Sequence, residues 1–212
     1  EVKNVFGDGA KIFVAQNISS EPGKRELQEG FKKENELKLV FISRVSEKKN
    51  LIYFLRLLSS LKELTELQFD IFGPIEEDDY WRQCLNYIDK DSRVAYKGIL
   101  SPDKVNETLK KYQFYVLPSF NENYGHSIVE AINIGVPVII SDQTPWVGLE
   151  EEQVGFDLAL HDISSWKVKM EYAYSMGDNQ YKNWSQSCFK YSNKTFVNKD
   201  IINSNIDLFL SN

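Results

Sequence analysis

Short apolar runs alternate with stretches of helical periodicity from residue 37 onward. Six runs predict buried strands, at 37–43, 67–72, 94–97, 114–117, 136–140 and 156–158. Helices are expected at 51–61, from 76 onward, and at 101–111, 125–134, 163–176, 179–190 and 198–210. Strands that alternate with helices are typical of βαβ units, so the chain is predicted to form an α/β fold with a doubly wound, mainly parallel sheet.

The first 36 residues do not follow this alternation. Residues 11–15 can form a strand, but 19–36 is polar and contains Pro22 and Gly30, a composition typical of a linker or hinge. We therefore divide the chain into three parts: a remnant strand and interdomain linker at 1–36, an α/β domain at 37–176 and C-terminal helices at 177–212.

The composition is that of a soluble globular domain, with 42% hydrophobic and 26% charged residues. A formal net charge of −6 argues against general nucleic-acid binding, because that function needs a basic face. The two cysteines, Cys84 and Cys188, match no metal-ligand spacing and favour a reduced, cytoplasmic compartment. An anionic ligand would therefore need a local group of cations and backbone amides.

The loop after the first predicted strand carries such a group. Open α/β sheets bind ligands beyond the carboxyl ends of their strands, and Arg44, Lys48 and Lys49 lie there, before a helix. Cations beside a helix N-terminus favour a diphosphate. A solvated basic loop would have the same composition. The chain has no glycine-rich dinucleotide fingerprint and no Walker motif, so NAD and P-loop sites lose their usual support.

The loop after the strand at 114–117 contains Glu122, and Glu130 follows eight residues later in the next helix. Between them, Gly125 would let the backbone approach a ligand closely. The next three amides are expected to be free for an anion at the helix start: those of His126, Ser127 and Ile128. By spacing alone, the two glutamates also fit a turn and an exposed helix face. A third loop carries Ile99 and Leu100, a plausible edge for a flat base.

Together these loops resemble the C-terminal nucleotide-binding domain of the GT-B fold glycosyltransferases, specifically the retaining group-1 family (family 4). That family carries an arginine and a lysine five residues apart after its first strand, as Arg44 and Lys49 stand here. It also carries two glutamates separated by seven residues around a glycine, as Glu122, Gly125 and Glu130 stand here. The resemblance covers residues 37–176.

The chain departs from that family in two respects. Ser43 and Asn50 stand where the family often has glycine, at positions that look tolerant. The amino-terminal acceptor-binding domain is also missing; residues 11–17 look like its closing strand. The helix at 198–210 is similar to the family's final helix, which packs across the other domain.

The resemblance implies transfer of a hexose from a nucleoside diphosphate sugar, UDP- or GDP-linked, to a glycan or lipid-linked acceptor. Retention of configuration and independence from metals and other cofactors are also implied. Arg44 and Lys49 would hold the diphosphate, Glu130 the ribose and Glu122 the donor sugar; the catalytic role falls to Glu122, Arg44 and Lys49. The implied donor site comprises Arg44, Lys49, Ile99, Leu100, Glu122, Gly125, His126, Ser127, Ile128 and Glu130.

By analogy with relatives, the whole protein would serve polysaccharide assembly in the cytoplasm, with peripheral association at the inner face of the membrane. The isolated chain is expected to bind the donor but to be inactive, because a GT-B site forms between two domains.

Other functions remain open. A sugar-nucleotide epimerase or a phosphorylase can share this fold, although no lysine context for pyridoxal phosphate is evident. A binding module without turnover is a further alternative, and a nucleotide-free scaffold agrees less well with the clustered motifs. Asp89-Lys90-Asp91 has the form of a metal-binding D-x-D motif, but it precedes a strand and is interpreted as a turn. A catalytic-base role for His126 is not favoured, because apolar residues often occupy this place in the family.

Overall fold

A six-stranded parallel sheet forms the centre of the molecule in the computed structural model, which describes residues 27–196. The strand order is β3-β2-β1-β4-β5-β6, and every neighbouring pair is parallel. The strands are β1 (Leu37–Ile42), β2 (Leu67–Phe72), β3 (Val94–Tyr96), β4 (Phe114–Leu117), β5 (Val138–Ser141) and β6 (Gly155–Leu158). The predicted doubly wound α/β architecture is thus confirmed.

Helices follow the strands and cover both faces of the sheet. They are α1 (Leu51–Ser59), α2 (Asp78–Ile88), α3 (Pro102–Leu109), α4 (His126–Asn133), α5 (Ile163–Ser175) and α6 (Asp178–Thr195). One turn of 3-10 helix, Glu47–Lys49, precedes α1. Within the described part of the chain, no helix is both long enough and apolar enough to cross a bilayer. The predicted strand at 11–15 and helix at 198–210 lie outside the described residues.

The core follows from the apolar runs of the sequence. Every residue of β4 and β5 is buried, as expected for strands covered on both faces. Helix α1 buries an apolar stripe in which Phe54 packs edge-on against Phe69, with ring centroids 4.9 Å apart. Burial of each such side chain stabilises the fold by about 1.5–3 kcal/mol.

Helix α6 is longer than the predicted helix at 179–190. Its buried residues are Tyr181, Trp184, Ser185, Cys188 and Ser192. The last of these is polar, and its hydroxyl donates to the side chain of Asn133. Because this buried residue is polar, the hydrophobicity pattern does not predict the final turn of the helix.

The last residues of the predicted linker belong to the folded body. Lys32 is 1% exposed, and its amine donates to the carbonyl oxygens of Tyr174 at 3.1 Å and Met176 at 2.9 Å. The Asp178 carboxylate accepts from the amides of Gly30 and Lys32. Carbonyl groups at a helix end lack hydrogen-bond partners within the helix, and the buried Lys32 amine donates hydrogen bonds to them. The polar composition of these residues therefore indicated a linker although they pack against the folded body. The division of the chain into three parts stays a prediction.

The sheet order creates a crevice between β1 and β4. The chain builds β1, β2 and β3 outward in one direction and then returns to place β4 on the other side of β1, where Val40 pairs with Tyr115. Loops that leave β1 and β4 run to opposite faces of the sheet, so a ligand can enter between them at the carboxyl edge. Arg44 and Glu122 lie in these two loops.

Candidate functional site

A cleft of about 570 Å³ opens at the carboxyl ends of β1 and β4. It is lined by Ile42, Ser43, Arg44, Lys48, Lys49, Glu122, Asn123, Tyr124, Gly125, His126, Ser127 and Glu130. Residues from two distant parts of the sequence meet here because β1 and β4 are neighbours. Of the ten residues predicted for the donor site, the cleft gathers all except Ile99, Leu100 and Ile128.

A buried ion pair joins the two sides of the cleft. Lys49 Nζ lies 2.5 Å from Glu122 Oε1, and the two side chains are only 10% and 9% exposed. The hydroxyl of Ser119, itself fully buried, donates to the same carboxylate oxygen at 2.7 Å. Desolvation offsets most of the attraction in such pairs, so this one contributes little evidence for stability. Its position at the mouth of a cleft is typical of charges that serve a ligand.

The loop that carries Glu122 is fixed at several points. The amide of Phe120 donates to the Lys48 carbonyl at 2.9 Å, and the amide of Glu122 donates to the Gln143 carbonyl at 3.1 Å. The Trp146 indole N–H donates to the carbonyl of Tyr124 at 2.5 Å. Trp146 thus holds the loop through its indole N–H. These bonds fix the Glu122 carboxylate relative to β1.

Left-handed backbone explains one departure from the family pattern. Asn50 begins α1 at φ 53° and ψ 35°, a conformation that glycine adopts freely. Asparagine is among the few other residues that visit this region routinely. Asparagine can therefore replace glycine at this position, whereas most other residues cannot.

The start of α4 differs in one detail from the expectation. Gly125 has φ 75°, a left-handed conformation that favours glycine. Close approach of a ligand to this glycine stays a prediction. The amide of Ile128 donates to the Gly125 carbonyl at 2.9 Å and is not free, and its side chain is buried in the core. Among residues 27–196, the amides of His126 and Ser127 have no acceptor, and they form the positive end of the helix dipole.

Glu130 lies one turn after His126 on α4, and both line the cleft. Burial raises the pKa of Glu130 above its ordinary value, and the nearby His126 partly opposes that shift. The His126 ring packs against Tyr124 with centroids 4.9 Å apart. A half-buried carboxylate that accepts few protein hydrogen bonds is suited to accept them from ligand hydroxyls.

Arg44 is exposed, in contrast to the buried Lys49. Its guanidinium contacts Glu76 at 2.7 Å, with the two side chains 57% and 37% exposed. An exposed pair of this kind holds the side chain weakly, because water screens the attraction. The guanidinium can therefore exchange Glu76 for a ligand anion at small cost.

The predicted base-binding residues lie apart from this cleft. Ile99 is 70% exposed beyond β3, and neither it nor Leu100 lines the cleft. Strand β3 is two strands from β1, a separation of about 10 Å at the usual strand spacing. A role for Ile99 and Leu100 beside the base stays a prediction.

The D-x-D sequence forms a turn after α2. The Asp91 carboxylate pairs with Arg93 at 2.6 Å, and that guanidinium lowers the pKa of Asp91. Between residues 27 and 196, no cluster of three or more His, Cys, Asp or Glu side chains is arranged to bind a metal.

Two residues at the site were not singled out from the sequence. Ser119 bonds Glu122 as described, and the Tyr115 hydroxyl lies 2.7 Å from Ser127 Oγ at the cleft wall. A hydroxyl within the otherwise apolar run 114–117 was the available signal, because a buried phenol needs a polar partner.

Comparison with known proteins identifies the family of this chain. The model of the glycosyl transferases group 1 family matches residues 24–190, well over half of the chain. The GtfA subunit of a Streptococcus pneumoniae UDP-N-acetylglucosamine–peptide N-acetylglucosaminyltransferase is 28% identical over 102 residues, which cover 48% of this chain and 20% of that protein.

Solved structures share the fold. A point mutant of Staphylococcus aureus TarM, crystallised with fondaparinux, α-GlcNAc-glycerol and UDP, superposes with a TM-score of 0.77 at 17% identity, covering 97% of this chain and 41% of TarM. The C-terminal domain of a group 1 glycosyl transferase, LpcC of Francisella tularensis, gives a TM-score of 0.66 at 13% identity and covers 77% of this chain and 88% of that domain.

This chain spans less than half the length of the pneumococcal relative and of TarM. The match to the family model, the parallel sheet and the cleft at its carboxyl edge lead to one assignment. The chain belongs to the group 1 glycosyl transferases and forms the C-terminal, Rossmann-like part of their GT-B fold.

Proposed function

We propose that this chain supplies the donor site of an enzyme that transfers a hexose from a UDP- or GDP-sugar to a glycan or lipid-linked acceptor, with retention of anomeric configuration. The alternative of an epimerase receives no support from three of the relatives, whose names describe transferases. The whole protein's acceptor and pathway, including a role in polysaccharide assembly, form part of the proposal.

One observation carries this proposal. Lys49, Glu122 and Glu130 converge with the free N-terminus of α4 in a single cleft at the crevice between β1 and β4. Cations and free amides together suit a diphosphate, while carboxylates at either side suit the hydroxyls of a ribose and a hexose. Each half of a nucleotide sugar therefore has complementary groups within reach.

The proposed roles follow from the chemistry of each side chain. Departure of a nucleoside diphosphate leaves negative charge on its terminal phosphate, and Arg44, Lys49 and the two amides of α4 would stabilise that charge. This arrangement would replace a divalent metal. Lys49 would pass from Glu122 toward the phosphates when the donor enters. Glu130 would accept from the ribose, and Glu122, anchored through Oε1 by Ser119, would orient the donor sugar.

The relatives support the donor class. The TarM structure contains UDP, and the Anabaena HepE structure, which has a TM-score of 0.66 to this chain at 16% identity, contains UDP and glucose. Transfer would require the acceptor-binding domain of the full-length protein, so we expect the isolated chain to bind donor and transfer almost nothing. The full-length protein is proposed to act in the cytoplasm, associated peripherally with the inner face of the membrane.

The binding part of the proposal is tested with a thermal-shift panel of UDP, GDP, ADP, CMP and their sugar conjugates, each with EDTA. A ligand at 100 times its dissociation constant stabilises the fold by about 2.7 kcal/mol. One nucleoside diphosphate should raise the melting temperature without metal, and Arg44→Ala should reduce the shift. Arg82→Ala is the matched control, since Arg82 is an exposed arginine outside the cleft. Equal loss in both variants, or no shift with any nucleotide, contradicts the proposal.

Turnover is tested in the full-length protein. Glu122→Gln keeps the side-chain shape but removes the charge, so transfer should fall by at least tenfold while the affinity for UDP changes little. Unchanged transfer would instead favour a binding module in which Glu122 has no catalytic part.

A further inference from the structure

A buried tyrosine hydroxyl lies directly behind the proposed diphosphate site. Tyr115 is in the middle of the sheet, where its backbone pairs with Val40 of β1 and Val138 of β5. Its side chain is fully buried, and its hydroxyl lies 2.7 Å from Ser127 Oγ and 3.3 Å from the carbonyl oxygen of Ile42. The hydroxyl therefore bridges the end of β1 and the first turn of α4, the two elements that form the cleft.

The two distances favour one assignment of the donor. A hydroxyl has one proton, and its hydrogen bonds to oxygen are normally about 2.5–3.0 Å long. The Ile42 carbonyl lies beyond that range, whereas Ser127 Oγ lies within it. Burial, with the nearby carboxylates of Glu122 and Glu130, keeps the pKa of Tyr115 well above its usual range, so the phenol retains its proton. The shorter contact therefore favours Tyr115 as the donor and Ser127 Oγ as the acceptor.

The consequence concerns the proton of Ser127. With the Tyr115 proton directed at Oγ, the Ser127 hydroxyl must direct its own proton elsewhere. Among the described residues Ser127 Oγ has no other partner, and the half-buried residue lines the cleft. Its proton is therefore available to the cleft, beside the free amides of His126 and Ser127.

We infer that Tyr115 is a positioning residue for the diphosphate: its hydroxyl orients Ser127 so that the Ser127 side chain donates to a phosphate oxygen. This inference rests on the proposed function and adds to it a hydroxyl donor besides the cations and backbone amides. Tyr115 touches no ligand and acts only through Ser127. Because the Tyr115 backbone is paired with β1 and β5, the orientation of the Ser127 hydroxyl costs little entropy when the ligand binds.

The test measures the affinity of this chain for UDP and for inorganic pyrophosphate by isothermal titration calorimetry in the presence of EDTA. Pyrophosphate isolates the phosphate contacts from those of base and ribose. Loss of a hydrogen bond to a charged group should lower affinity about tenfold in Ser127→Ala, and loss of its orientation about three- to tenfold in Tyr115→Phe. Ser127→Thr, which keeps a hydroxyl, should retain affinity within about threefold.

The double variant separates positioning from an independent contribution. Because Tyr115 acts through Ser127, Tyr115→Phe should weaken binding no further in a Ser127→Ala background. Tyr112→Phe is the matched control: this buried tyrosine donates to Asp70 Oδ2 at 2.7 Å, and Tyr112 lies outside the cleft. It should lower the melting temperature and leave both affinities unchanged.

Each contrary result has a distinct meaning. Wild-type affinity in Tyr115→Phe, additive losses in the double variant, or equal weakening by Tyr112→Phe overturns the positioning role while the donor site stands. Failure of the wild-type chain to bind either UDP or pyrophosphate overturns the proposed function and this inference together.

Discussion

Removal of either member of the Lys49–Glu122 pair should destabilise the protein by more than an exposed ion pair would. At an effective dielectric constant of about 20, charges roughly 3 Å apart attract by about 5 kcal/mol. Desolvation of both groups offsets most of that gain, but the loss of one partner leaves a buried charge unpaired, which costs about 3–5 kcal/mol in a closed interior. Water can reach the survivor from the open cleft, so we expect about 2–3 kcal/mol.

The variants are Lys49→Met, Glu122→Leu and the double substitution. Either single change leaves the other charge at a site where the two side chains are 10% and 9% exposed. The double change replaces both charges with apolar groups of similar volume and should be no less stable than either single variant. The resulting coupling energy is expected to be about 2 kcal/mol.

Urea unfolding followed by tryptophan fluorescence measures these differences through the transition midpoint. The control is the exposed pair Asp79–Arg82, whose side chains are 86% and 69% exposed; its disruption should cost less than about 0.5 kcal/mol. Losses below about 0.5 kcal/mol in both single variants of the buried pair, with simple additivity in the double variant, would refute the reasoning. The double variant should also fail to bind UDP, which separates stability from function at this site.

Three further expectations concern single positions. Burial raises the pKa of Glu130, so the folded protein binds that proton more tightly than the unfolded chain does. Glu130→Gln should therefore raise the melting temperature at pH 7 by about 1–3 °C, and the gain should shrink as the pH falls. A lowered melting temperature would contradict this expectation. A Cβ on Gly73, at φ 137°, would lie 1.8 Å from the carbonyl oxygen of Ser43, whereas one on Gly98, at φ 87°, meets nothing within 4 Å. Gly73→Ala should cost more than about 3 kcal/mol and Gly98→Ala about 1 kcal/mol in thermal unfolding; similar losses would refute the steric argument. Burial lowers the pKa of Lys32 to about 8, so above pH 8 the unfolded chain binds more protons than the folded protein. The free energy of unfolding of the wild type, relative to that of Lys32→Met, should therefore rise by about 2 kcal/mol from pH 8 to pH 10.5. A constant difference in urea titrations would exclude the shift.

Much of the architecture was accessible from the sequence. The apolar runs at 37–43 and 114–117 predicted strands close to β1 and β4, because a strand covered on both faces needs continuous apolar residues. Helix α4 was predicted within one residue at each end, since Gly125 and Gly135 flank its apolar pattern. Helix α6 was predicted too short because Ser192 is a polar residue in a buried stripe.

The composition of the site was also largely predictable, whereas its internal contacts were not. Spacing and family resemblance identified Lys49, Glu122 and Glu130, which the fold brings into one cleft. They gave no indication that Ile128 has a bonded amide. They also missed the position of the Tyr115 hydroxyl. Such details depend on atomic distances within a single turn or across two strands, which residue identity alone does not fix.

The sequence by itself determined the order of strands and helices and the types of side chain at the strand ends. Hydrophobic periodicity and turn residues act locally, so they can be read without knowledge of the partner strands. Only the tertiary structure decided that β4 lies beside β1, that the Lys32 amine is buried in the body, and that Lys49 pairs with Glu122. These contacts join residues far apart in the chain, and their energies depend on burial and distance, which exist only once the sheet has assembled.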